Sequence, residues 1–215
     1  MRSNKRLYVV VWLTAGYIAL QTISDISAVK IVSVFGITVP AAVFLYTLCF
    51  TWIDLINDYL GRSIARRIVV IAALINLFMA AYFKFTIAMK PAEFWALQKE
   101  YSSILGGVWR IVIASIVAEV ANTILDVEIF HFWKVRVAQL HTITGWRWVR
   151  VVVSNACSVT LDSIVFVTIA FLGTFSNRTL LSIITGQIII KGIISMLSIP
   201  LIYAVGSVPV KRLTE

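Results

Sequence analysis

Six apolar stretches run along the chain, and polar residues interrupt them at helical rather than random spacing. Each is close to the roughly 20 residues that a membrane-spanning helix needs. The spans are Leu7 to Ala28, Pro40 to Asn57, Ile68 to Met89, Val108 to Phe130, Val151 to Leu172 and Thr179 to Tyr203. Ile31 to Thr38, with Phe35-Gly36 inside it, reads as a short connection. Pro40 is suited to starting a helix, and Gly61 to stopping one. Arg62 to Arg67 reads as a basic connector. Lys90 to Gly107 is the longest polar stretch, and Trp95, Tyr101 and Trp109 suit an interfacial aromatic belt.

The fourth span is the most informative. Ser115, Glu119, Asn122 and Asp126 follow one another at steps of four, three and four, which puts all of them on one helix face. Thr47, Thr51, Asp54 and Asp58 repeat that spacing in the second span. Asn155, Ser158 and Asp162 share a face of the fifth, and Gln187, Lys191 and Ser195 a face of the sixth. Gln21 and Asp25 share a face at the far end of the first. The third span carries only Asn76 and Lys84 as polar exceptions and reads as structural. A charge near the bilayer centre costs roughly 2.5 to 3.5 kcal/mol, so it faces protein or a wet cavity. Such seams either hold helices together or wall a substrate site.

Depth separates the charges. At a rise of about 1.5 Å per residue, Asp162, Lys191 and Glu119 meet near the midplane, with Asp54 deeper towards the cytoplasm. A buried ammonium needs a partner, and Asp162 is the candidate for Lys191. Glu119 and Asp54 have no second buried cation in prospect. Such surplus acid calls for protonated carboxyls or for a ligand rich in hydrogen-bond donors.

Composition agrees with the pattern. The chain is 60% hydrophobic and 13% charged, with a mean hydropathy of +0.93, which excludes an ordinary soluble domain. The expectation is a single integral membrane transporter domain over 1–215, an all-α polytopic protein with six transmembrane helices. A 3+3 inverted repeat is left open. The first span is too long for a signal peptide. The net charge of +9 could suggest nucleic acid, but its distribution reads as topology. Arg2, Lys5 and Arg6, the Arg62 to Arg67 connector, Lys134, Arg136, Arg147 and Arg150, and Lys211 and Arg212 outnumber the basic residues of the other side. Basic loops stay in the cytoplasm. Both termini are therefore expected inside, in the cytoplasmic (inner) membrane, with no nucleic-acid partner. Cys49 and Cys157 read as small core residues. His131 and His141 have no Cys or His nearby at metal spacing, so no metal or cofactor is expected. No HExxH, GxSxG or convincing Ser–Lys dyad is present, which argues against an enzyme.

Four segments together resemble the queuosine precursor transporter family. They are SDISAVKIVSVFGITVP at 24–40, FTWIDLINDYLGRSIARR at 50–67, SIVAEVANTILDVEIFHFWK at 115–134 and RVVVSNACSVTLDSIVFVTIAFLG at 150–173. A weaker match is KGIISMLSIPLIY at 191–203. The resemblance implies six helices and uptake of deazaguanine bases, in cyano or aminomethyl form, for a tRNA modification. Family members usually have Gln where this chain has Asn122, often Thr at Ile53, and Glu at Asp58.

The chemistry fits that implication. A guanine-like edge presents two parallel N–H donors and a carbonyl. A carboxylate accepts the donors side by side, so Asp54, Glu119 or Asp162 suits that role, and Asp126 extends the acidic face. Asn122, Asn155, Gln187 or Lys191 could serve the oxygen or a ring nitrogen, and Trp52 or Phe166 could stack on the base. The expected partners are thus a small-molecule deazaguanine base and the lipid bilayer, and a homodimer is left open. A second reading is a substrate-binding membrane subunit energised by a separate module, like the S-components of energy-coupling-factor transporters.

Overall fold

The computed structural model describes residues 2–136 and 147–205, with side chains over 7–194 except at 54, 58, 123, 124, 126–136 and 147–155. In order the elements are α1 (Arg2–Ser27), β1 (Ile31–Val34), β2 (Ile37–Pro40), α2 (Val43–Leu60), α3 (Arg62–Ala88), α4 (Gln98–Leu105), α5 (Val108–Arg136), α6 (Arg147–Phe171) and α7 (Asn177–Val205). Helices close their backbone hydrogen bonds internally, which is what a bilayer demands. Among the described residues, Leu7–Ser27, Arg62–Ala88 and Gln98–Asn122 are long and apolar enough to cross a membrane. Large side chains such as Phe78, Tyr82 and Phe85 of α3 stand exposed, as they do on a face that meets lipid. The chain is an all-α polytopic membrane protein apart from one small hairpin.

That hairpin corrects the expected connection after the first span. β1 and β2 pair antiparallel with Val32 opposite Val39 and Val34 opposite Ile37. Six β-branched residues in eight positions favour strand. Phe35 and Gly36 both have positive φ, at 51° and 80°, as the two central residues of a type I′ turn require. Pro40 consequently ends β2 instead of opening a helix, and α2 begins at Val43. β2 lies against α7, where Gly186 sits beneath the Thr38 carbonyl and Ile37 and Val39. Any side chain at 186 would collide with that backbone oxygen.

A second correction concerns the basic connector. Gly61, with φ 83°, ends α2 and donates its N–H to the Asn57 carbonyl at 3.0 Å. The left-handed backbone there needs glycine. α3 starts at the next residue, so Arg62, Arg66 and Arg67 lie on its first turns. A short helix, α4, also forms within the polar stretch, and Trp95 packs edge-on against Tyr101 at 5.7 Å.

Packing forms two main apolar clusters. Tyr17, Cys49, Ile56, Ala65, Ile68 and Ala72 join α1, α2 and α3. Ile111, Ala114, Ala118, Phe166, Val167 and Ile183 join α5, α6 and α7. α5 and α6 make the most extensive helix contact, and the small Ala114 and Ala118 let the backbones approach closely. Asp25, Asn76, Ser115, Asp162, Gln187 and Lys191 are among the buried polar residues.

Candidate functional site

A narrow cavity lies where α2, α5, α6 and α7 meet the end of β2. Tyr46, Ser115, Asp162, Phe166, Gln187 and Lys191 line it, with Pro40, Ala42 and Val43 closing one side. Its free space is about 10 Å³, roughly one water. A base-sized ligand therefore requires the walls to part. A wider groove of about 220 Å³ lies between α3 and α5 around Lys84 and Trp109. Its remaining lining is apolar and it faces outward, so it suits lipid rather than a polar substrate.

The expected pair of Lys191 with Asp162 is present. Lys191 Nζ donates to Asp162 Oδ2 in a buried ion pair. The Lys191 nitrogen also stands 5.7 Å from the Tyr46 ring centre and 5.9 Å from that of Phe166. These rings meet edge to face at 5.6 Å. Cation and rings attract one another, so the ammonium is held from three sides. Asn122 Nδ2 donates to Asp162 Oδ1 at 3.4 Å, which ties α5 to the pair.

Two acceptors are left over. Gln187 Oε1 and Asn122 Oδ1 are buried with no hydrogen-bond partner among the described residues. Gln187 is 2% exposed and lines the cavity. A buried amide oxygen without a donor costs about 1 to 3 kcal/mol. A fold that tolerates such a cost next to a cavity presents an acceptor to whatever enters it.

The remaining predicted residues divide. Glu119 accepts from the Tyr17 hydroxyl of α1 at 3.3 Å and does not line the cavity. It thus sits one step away from the cavity wall expected of it. The side chains of Asp54, Asp126 and Asn155 lie outside the described residues, as does His141. Phe166 lines the cavity, whereas Trp52 is a packing residue. Its indole N–H donates to the Leu13 carbonyl at 2.9 Å, and its ring lies on Gly16.

Sequence reasoning missed the group behind the cavity. Asp25 of α1 is buried, with Tyr46, Ser115 and Asn76 around its carboxyl. Tyr46 sits in an apolar run and belongs to none of the polar faces read from spacing. Asn76 read as an isolated exception in the third span, although a lone amide in such a span is itself a signal of a buried polar partner.

Comparison with known proteins narrows the chemistry. The family described as "Putative vitamin uptake transporter" matches residues 40–205. A Bacillus subtilis (strain 168) protein named "Probable queuosine precursor transporter" is 25% identical over 181 residues, covering 84% of this chain and 77% of the relative. No solved structure matches the chain. With the family match extending from the end of the hairpin through α7, the chain belongs to the vitamin uptake transporter family.

Proposed function

We propose that this transporter moves a deazaguanine base, a precursor of queuosine, across the cytoplasmic membrane into the cell. The observation that carries the reading is the orphan Gln187 Oε1, buried beside the Asp162 carboxylate and the Tyr46 and Phe166 rings. A guanine-type edge offers adjacent N–H donors that an amide oxygen and a carboxylate accept. Aromatic walls suit its flat faces. The name of the Bacillus subtilis relative supports the same substrate class.

Purified protein should melt at a higher temperature with cyano- or aminomethyl-deazaguanine, since a ligand of the folded state stabilises it by mass action. Hypoxanthine-type analogues, which lack the exocyclic amine, should bind more weakly by about one to two orders of magnitude, because a buried acceptor stays unpaired. Equal shifts with both ligand classes would count against recognition of the guanine edge.

Six spans with both termini in the cytoplasm are part of the same proposal. The arginines at the start of α3 and the exposed polar surface of α4 then lie on opposite sides. In intact cells, a cysteine replacing Ser103 should react with an impermeant thiol reagent, and one replacing Ser63 should not. The reverse pattern would invert the orientation, which rests on basic residues.

A further inference from the structure

The groove between α3 and α5 is graded in polarity. Leu77, Ala80, Ala81 and Lys84 follow one another at steps of three, one and three along α3, which puts them on one helix face. Trp109 and Ile113 of α5, four residues apart, stand opposite. Ala80 is buried against Val108 and Val112, which joins the two helices beneath the groove. Two methyl side chains, those of Ala80 and Ala81, keep the floor low between taller neighbours. Leu77, Trp109 and Ile113 are exposed, so none of the described residues covers the groove.

Its charged end lies at the membrane boundary. Lys84 is four residues before the end of α3 at Ala88, about 6 Å by helical rise. Leu77 lies about 10 Å deeper than Lys84. On α5, Trp109 is the second residue of the helix and Ile113 is one turn further in. The Tyr101 and Thr86 hydroxyls are 2.9 Å apart, which fixes α4 and the Trp95–Tyr101 pair beside the last turn of α3. Rings of this kind settle at headgroup depth, and a lysine just below that depth reaches up to it.

The ammonium has no anion to meet there. Lys84 Nζ stands 4.9 Å from the centre of the Trp109 ring, and among the described residues it has no hydrogen bond or ion pair. Its three N–H donors are therefore open. No carboxylate lines the groove. A second copy of the chain docked by the same face would bring another Lys84 and no acid to match it.

We propose that this groove binds one anionic phospholipid, with an acyl chain over Ala80 and Ala81 and the phosphate on Lys84. The site lies outside the cavity and does not depend on which substrate is transported. The Trp109 ring holds the ammonium over the groove before the lipid arrives. The apolar end offers nothing to a headgroup and suits a hydrocarbon chain. The charged end prefers a headgroup whose phosphate carries its charge uncompensated, as in phosphatidylglycerol. Phosphatidylcholine neutralises the same phosphate with its own quaternary ammonium. One lysine at a membrane surface gives about a fivefold preference for the anionic lipid.

Native mass spectrometry of the detergent-purified protein tests this, by titration with phosphatidylglycerol and phosphatidylcholine of the same acyl chains. The first phosphatidylglycerol should be retained about fivefold more tightly than the first phosphatidylcholine. Equal retention by the wild type would overturn the proposal without relying on any variant to fold. Lys84→Gln should erase the preference by weakening phosphatidylglycerol alone. Ala81→Phe, which fills an exposed part of the groove, should weaken both lipids. A Lys84→Gln protein that keeps the preference would place the anion elsewhere and overturn the site. Glycerol phosphate, a headgroup without chains, should not compete at equal concentration. If it competes as well as the lipid does, the site takes a free anion and the proposal fails. Two-copy species that exclude added lipid would show that a second chain covers the groove, and would overturn it equally.

Discussion

Lys191→Met should destabilise the protein by about 3 to 5 kcal/mol, because it strands the Asp162 carboxylate in a dry site. Adding Asp162→Asn should recover much of that loss, since removing both members of a buried pair often costs little. The two residues are on neighbouring helices and form a direct buried ion pair. Denaturation of the four proteins of the cycle in detergent gives the coupling energy. Losses that simply add would show that the pair contributes no direct interaction. The rings of Tyr46 and Phe166 make full recovery unlike that of a simple pair. They favour the cation, so the double variant should remain somewhat below wild type.

Gln187→Leu should separate stability from binding. The substitution removes a buried acceptor that has no partner and relieves about 1 to 3 kcal/mol of desolvation cost. The ligand-free protein should therefore be as stable as wild type or more so. Binding of a deazaguanine base should weaken by about one to two orders of magnitude, as expected when a hydrogen bond to the ligand is lost. Thermal unfolding with and without ligand gives both values. A variant that is more stable and still binds normally would show that the Gln187 oxygen does not face the substrate.

Much of the architecture was legible in the sequence for a simple reason. A bilayer leaves no freedom over backbone hydrogen bonds, so long apolar runs declare themselves as helices. Gly61 marked the α2–α3 boundary because its backbone is left-handed there. The hairpin was not legible. Its strands are four residues each, too short to establish a period, and Phe35-Gly36 lacks the usual Asn or Asp of such turns. In the site, the Lys191–Asp162 pair could be read from helical rise alone, since each residue's depth follows from its position in its span. The Asp25 group could not. Ser115 and Asp25 are 90 positions apart, and no spacing rule within one helix relates them. Tyr46 in particular has an apolar ring and a polar tip, so its place in an apolar run conceals a hydroxyl committed to a carboxyl.

The hairpin also makes the chain's tolerance of length changes uneven. Its tip is free, with Phe35 fully exposed, and extra residues there would lengthen a loop without moving either strand. Its second strand is not free. Val39 is buried against Val43 and Ile190, and Pro40 at the strand's end borders the cavity. One residue inserted between Ile37 and Val39 would turn Val39 outward, because strand side chains alternate with period two. It would also carry Pro40 off the cavity wall, although every helix kept its own residues. Homologues that differ in length should therefore differ at positions 35–36 and keep the spacing from Ile37 to Val43.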